Sequence, residues 1–291
     1  MIPWHILALT SAFFSAAAAI AEKKVLFKEK ALHFSVLFAV FNFLLAIPFF
    51  FFINYSLLTS SGLLVVFIKS IFESLAFLCV MIGLKNLEIS NALPLLVLTP
   101  GLVAIFAFLT LGEALTGIEI LGIIFLLLGT YLLQLRLRQK FLDPWKAFFK
   151  SKGYYYIIAA LILFTTTSIL DKAVLKNFKV PLNAFMGFQH LFLAIIFLSF
   201  IIFSGKSKGM KSTIKHSWTI ILLISIFTII YRYTQYNAVK LAPVALVISI
   251  KRISVFFAII IGGRMFRDHN LVQRAIATLI MLVGAVMVVV G

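Results

Sequence analysis

Five ionisable side chains lie inside apolar runs: Lys69, Glu73, Arg232, Lys251 and Arg252. At membrane depth each costs about 2.5–3.5 kcal/mol on insertion scales, so such groups turn toward partners or a wet cavity. Lys69 and Glu73 are four positions apart and share a helix face. They read either as a structural pair or as a switch, in which protonating Glu73 frees Lys69 for an anion. Arg232 stands among Tyr231, Tyr233, Gln235 and Tyr236. At helical spacing Arg232 lines one face with Gln235 or with Tyr236, bringing charge, amide and phenol together; tyrosines near a span end also form an ordinary interfacial belt. Lys251 and Arg252 follow Pro243 by about eight residues, roughly 12 Å of helical rise. Being adjacent, they point about 100° apart. A guanidinium fork and a compact ammonium suit a divalent or bulky anion, whereas the plainer account has them snorkel or pair with acids elsewhere. The expected substrate contacts are Lys69, Tyr231, Arg232, Gln235, Tyr236, Lys251 and Arg252, with Glu73 as coupling group and sole acid among four cations. Gln189, His190 and Asn42 read as interhelical hydrogen bonds.

These residues must be held by membrane helices. The chain is 63% hydrophobic over 291 residues, with a mean hydropathy of +1.14, far above the apolar share of about 45–50% in soluble domains. Apolar runs bounded by Gly, Pro and charge predict ten spans, near 4–21, 33–53, 62–84, 90–110, 117–135, 154–171, 183–203, 217–239, 243–263 and 271–290. Residues 1–21 have small-residue character like a signal peptide, but lack a basic leader and recur in mid-chain, so they read as a retained span. The single cysteine, Cys79, leaves no disulfide framework or thiolate metal site, and reads as packing. No metal or cofactor is expected.

The net charge of +17 is spread over connectors, which argues against nucleic acid. Eighteen Lys and Arg fall on odd-numbered connectors and four on even-numbered ones, so the positive-inside bias places both termini outside.

The sequence says nearly the same thing twice. Glu22-Lys23-Lys24-Val25-Leu26 is answered by Asp171-Lys172-Ala173-Val174-Leu175, Gly112-Glu113 by Gly263-Arg264, and Leu127-Leu128-Gly129 by Leu282-Val283-Gly284. Five spans per repeat is an odd number, so the second repeat enters from the opposite side: two inverted five-helix halves, residues 1–135 and 154–291, joined by a basic connection over 136–153. Such halves meet around a midplane substrate site.

The run Asn91-Ala92-Leu93-Pro94, Thr99-Pro100-Gly101, Leu111-Gly112-Glu113-Ala114-Leu115-Thr116, Leu121-Gly122 and Leu128-Gly129 resembles the EamA repeat of the drug/metabolite transporter superfamily. The second half fits more loosely, with Leu241-Ala242-Pro243-Val244-Ala245 and Gly262-Gly263. Two departures stand out. Arg264 occupies the place of an acid, with Asp268 four residues on, and the charge count reverses the cytoplasmic termini of many relatives. Within the superfamily, Ser249-Ile250-Lys251-Arg252-Ile253-Ser254 looks like the Lys-Arg pair of organic-phosphate antiporters.

The resemblance implies an all-α, multi-pass transporter of the inner or plasma membrane, not an enzyme. Its cargo would be a small anionic or zwitterionic metabolite, with lipid around it and a proton or counter-substrate as coupling partner. The alternatives are a lipid-linked headgroup flippase and a non-transporting scaffold or sensor. No HExxH, Walker lysine, Gly-rich phosphate loop or protease-like Asp pair is present.

Overall fold

A computed structural model describes residues 2–86, 96, 99–134, 152–254 and 271–291. Among these residues there are no strands, and ten α-helices follow one another: α1 Trp4–Leu26, α2 Ala31–Phe50, α3 Ser60–Asn86, α4 Thr99–Leu111, α5 Gly117–Gln134, α6 Lys152–Lys176, α7 Leu182–Ser204, α8 Met210–Leu241, α9 Val244–Lys251 and α10 Leu271–Val290. In hydrocarbon every backbone N–H and C=O must bond within its own segment, which these Leu-, Ile- and Phe-rich runs do as helices. Pro3, Pro181 and Pro243 stand at the N-caps of α1, α7 and α9, and Gly205 ends α7 at φ 62°, the left-handed conformation that glycine adopts without strain. Among the described residues six helices are long and apolar enough to cross a membrane: α1, α2, α3, α6, α7 and α8. The sequence features at Pro94, 136–151, Gly262-Gly263, Arg264 and Asp268 lie outside the described residues.

Two helices overrun their expected ends. α1 continues through Glu22-Lys23-Lys24 and α6 through Asp171-Lys172. The lysines need no water at these points. Lys23 Nζ donates to the Leu84 carbonyl, and Lys172 Nζ donates to the carbonyls of Val239 (2.7 Å) and Ala242 (2.6 Å). Each lysine thus satisfies carbonyls at the C-terminal end of a neighbouring helix, α3 or α8, where orphan acceptors and the helix dipole favour a cation.

The helix pairing is itself twofold. α1 packs on α8 as α6 packs on α3, α1 on α9 as α6 on α4, and α2 on α8 as α7 on α3, while α2–α7, α4–α9 and α5–α10 pair across the duplication. Exchanging each helix of the first half for its duplicate leaves this scheme unchanged. α5 and α10 meet at glycine: a Cβ on Gly122 would lie 2.8 Å from the Gly284 carbonyl oxygen, a small-residue contact of the kind that lets membrane helices touch through their backbones. The exterior is apolar, with Phe203 89% and Phe51 81% exposed, and the interior holds buried polar groups, as a lipid solvent requires.

Candidate functional site

Between α3, α6, α7 and α8 the buried charges tie into one knot. Lys69, with no exposed surface, donates to Glu73 Oε2 one turn along α3. It also pairs with Asp171 Oδ1 of α6 at 2.9 Å and donates to Tyr236 Oη of α8 at 3.0 Å. Arg232 pairs with Glu73 Oε1 and lies 3.4 Å from Tyr236 Oη. Tyr236 donates to Gln189 Oε1 (2.7 Å), and Gln189 Nε2 returns a hydrogen bond to Glu73 Oε2 (2.9 Å). The rings of Phe185 and Tyr236, 4.5 Å apart, flank the ammonium of Lys69 at 5.2 and 5.4 Å, where the negative faces of the rings favour a cation. Two cations meet two carboxylates, so the knot is neutral.

Lys251 and Arg252, at the end of α9, are placed differently. Lys251 Nζ donates to Gln235 Oε1 at 2.5 Å and sits 4.6 Å over the Tyr231 ring. Arg252 Nη2 donates to Thr99 Oγ1 of α4 at 2.6 Å, and its Nε is buried without a hydrogen-bond partner among the described residues. The two diverge as adjacent helix positions must, one toward α8 and the other toward α4. Both are only partly buried, and among the described residues no carboxylate lies within ion-pair distance of either.

The structure therefore groups Lys69, Glu73, Arg232 and Tyr236 in one network and Lys251, Gln235 and Tyr231 in a second, with Arg252 turned to α4; the two networks touch where Arg232 lies 5.5 Å over the Tyr231 ring. Tyr233, 40% exposed, stays outside both. Glu73 is not the only interior acid. Among the described residues Glu113, 9% exposed, is a further one, paired with Lys172, and Asp171, 2% exposed, and Glu22, 8% exposed, bring the acids set against the four expected cations to three. Their sequence context as span-closing charges concealed them; the one available signal was that both occupy the same place in the repeat.

Gln189 makes interhelical bonds as expected. His190 makes none: both ring nitrogens are buried and unpartnered among the described residues. Asn42 instead bonds within its own helix, to Phe38 O at 2.8 Å. Away from the knot, Glu113 pairs with Lys172 at 3.2 Å and accepts from the backbone N–H of Val244 at 2.9 Å. This clasp joins the end of α4 to α6 and to the α8–α9 junction. Among the described residues no group of three or more His, Cys, Asp or Glu could hold a metal ion.

The sequence matches the EamA-like transporter family twice, over residues 2–135 and 151–290. A solved structure whose title reads only "Crystal structure of protein" has the same fold, with a TM-score of 0.76 at 17% identity over 99% of this chain and 96% of that one. No curated protein matches the sequence. With nearly all of its length covered by the two repeats, the chain belongs to the EamA-like transporter family of the drug/metabolite transporter superfamily, integral multi-pass membrane proteins that carry small molecules.

Proposed function

We propose that the protein is a ten-span secondary transporter for a small organic anion or zwitterion. In this reading, two inverted halves, 1–135 and 154–291, rock about a site between them, driven by protons or by exchange. One observation carries it: Lys69 and Arg232 are neutralised by Glu73 and Asp171, whereas among the described residues Lys251 and Arg252 donate to the neutral oxygens of Gln235 and Thr99 and pair with no carboxylate. A cation held at depth without a counter-ion is costly, and an anionic cargo group supplies the missing charge. Arg252 reaches the first half and Lys251 the second, so cargo binding between them bears on how the halves sit together. The neutral knot positions the site, and Tyr231, Gln235 and Tyr236 supply its polar wall.

The test is a thermal-stability panel on the detergent-purified full chain. It comprises acetate, succinate, glycerol 3-phosphate, glutamate and alanine, each beside its uncharged or cationic analogue. A binder at a hundred times its Kd stabilises by about 2.7 kcal/mol. Anionic members are expected to stabilise the wild type. R252Q and K251Q each remove a charge-assisted hydrogen bond of about 1.5–3 kcal/mol, which weakens binding roughly 10- to 100-fold. Equal stabilisation by neutral analogues, or unchanged anion affinity in both variants, contradicts the reading.

A further inference from the structure

Glu22 is an interior carboxylate with no bond among the described residues. It is 8% exposed, and among the described residues it makes no hydrogen bond and no ion pair. Its duplicate, Asp171, has Lys69. The difference is traceable in the sequence, because Lys23 bonds the Leu84 carbonyl as Lys172 bonds that of Val239. Fifteen residues before Leu84 stands Lys69, and fifteen before Val239 stands Ile224. By this count the second half carries Ile224 where the first carries Lys69, and among the described residues Glu22 has no ion-pair partner of the kind Asp171 has in Lys69.

The charged and titratable groups on the helices packed against α1 are few. α8 brings Tyr231 and Arg232, and α9 brings Lys251 with Arg252 beside it, so the cations that face α1 from its neighbours stand on these two helices. On α3, Lys69 and Glu73 are engaged in the knot and Lys85 bonds the Glu29 carbonyl. On α2, His33 bonds the Lys206 carbonyl. On α1 itself, Lys23 is spent on Leu84 and Lys24 is exposed.

We infer that Glu22 is the proton-binding residue that couples proton movement to anion transport. The inference rests on the transport reading above. A coupling carboxylate must be able to exist uncharged. Glu73 meets this poorly, because its neutral form would leave Lys69 and Arg232 with one carboxylate between them. Glu22 meets it well, since protonation breaks no bond. A charged Glu22 competes with an anionic cargo for the field of Lys251, and a protonated one leaves that field to the cargo. Proton and anion therefore favour each other's binding, and the linkage is reciprocal. One proton on the Glu22 carboxyl accompanies one cargo anion.

Two measurements on the full chain test this. The first needs no cargo: infrared difference spectra between about pH 5 and about pH 9 for the wild type, E22Q and E22D. A protonated-carboxyl band lost at high pH is expected in the wild type and E22D and is expected to be missing from E22Q; persistence of the full band in E22Q overturns the assignment. The second is accumulation of the panel anions in proteoliposomes under an imposed proton gradient. Wild type is expected to accumulate an anion. E22Q is expected only to equilibrate it, with an affinity that has lost a pH dependence of the order of 5- to 150-fold. Gradient-driven accumulation by E22Q equal to wild type overturns the proposal. If the infrared band behaves as expected while no panel anion is moved, the proton site stands and the anion-transport reading fails.

Discussion

The neutral knot makes a quantitative prediction at Glu73. Glu73→Gln keeps the side chain's size and an acceptor for Gln189 but removes the charge that meets both Lys69 and Arg232. One positive charge is then left over where Lys69 has no exposed surface. Breaking a buried pair by removing one partner costs about 3–5 kcal/mol, and Arg232→Gln, which leaves a surplus carboxylate, is expected to cost a similar amount. The double variant is different. Lys69 and Asp171, 2.9 Å apart, remain as a complete pair, so neutrality is restored. The double variant should therefore cost less than the sum of the singles by at least about 1.5 kcal/mol, within the range of about 0.5–3 kcal/mol for residues in one network. Reversible unfolding by SDS in mixed micelles, followed by tryptophan fluorescence, measures all four corners of the cycle. Additivity to within about 0.5 kcal/mol would refute the neutral-knot account.

Three further outcomes follow from the packing. Tyr236→Phe removes the hydroxyl that donates to Gln189 and accepts from Lys69, leaving a buried acceptor unpaired at a cost of about 1–3 kcal/mol, measured by the same unfolding assay. Gly122→Leu drives a side chain into the Gly284 backbone and should lower stability by about 1–3 kcal/mol, with Gly122→Ala milder; equal stability of all three proteins would show that α5 and α10 do not meet there. In the clasp, Glu113→Ala leaves both Lys172 and the Val244 N–H short of an acceptor, whereas Glu113→Gln still receives the N–H. Alanine should therefore be the worse by about 0.5–1.5 kcal/mol in SDS unfolding, and the reverse order would contradict the clasp.

Helical periodicity made the local part of this arrangement legible. The Lys69–Glu73 contact and the Arg232–Tyr236 contact are four-residue spacings on single helices, and the apolar runs with their duplication announced a membrane protein of two like halves. What escaped was non-local. Whether Glu22-Lys23 and Asp171-Lys172 end a helix or continue it depends on carbonyls at Leu84, Val239 and Ala242, more than sixty residues away in the sequence. A local window sees only charge and reads a boundary. For the same reason Asp171 was invisible as the partner of Lys69, and the sequence could not divide the four cations into two that are neutralised and two that are open. Gln189 carried a clue, as a polar side chain inside an apolar run, but its role as a bridge between Tyr236 and Glu73 needs three helices at once.

The most direct test of the central claim is an experimental structure of the full chain in lipid nanodiscs with the most stabilising anion of the panel bound. The account predicts the anionic group within hydrogen-bond distance of Arg252 or Lys251, replacing the contact with Thr99 or Gln235, while Lys69 and Arg232 keep Glu73 and Asp171. An anion bound instead on Lys69 or Arg232 with the knot opened, or Lys251 and Arg252 turned into the lipid, would contradict it.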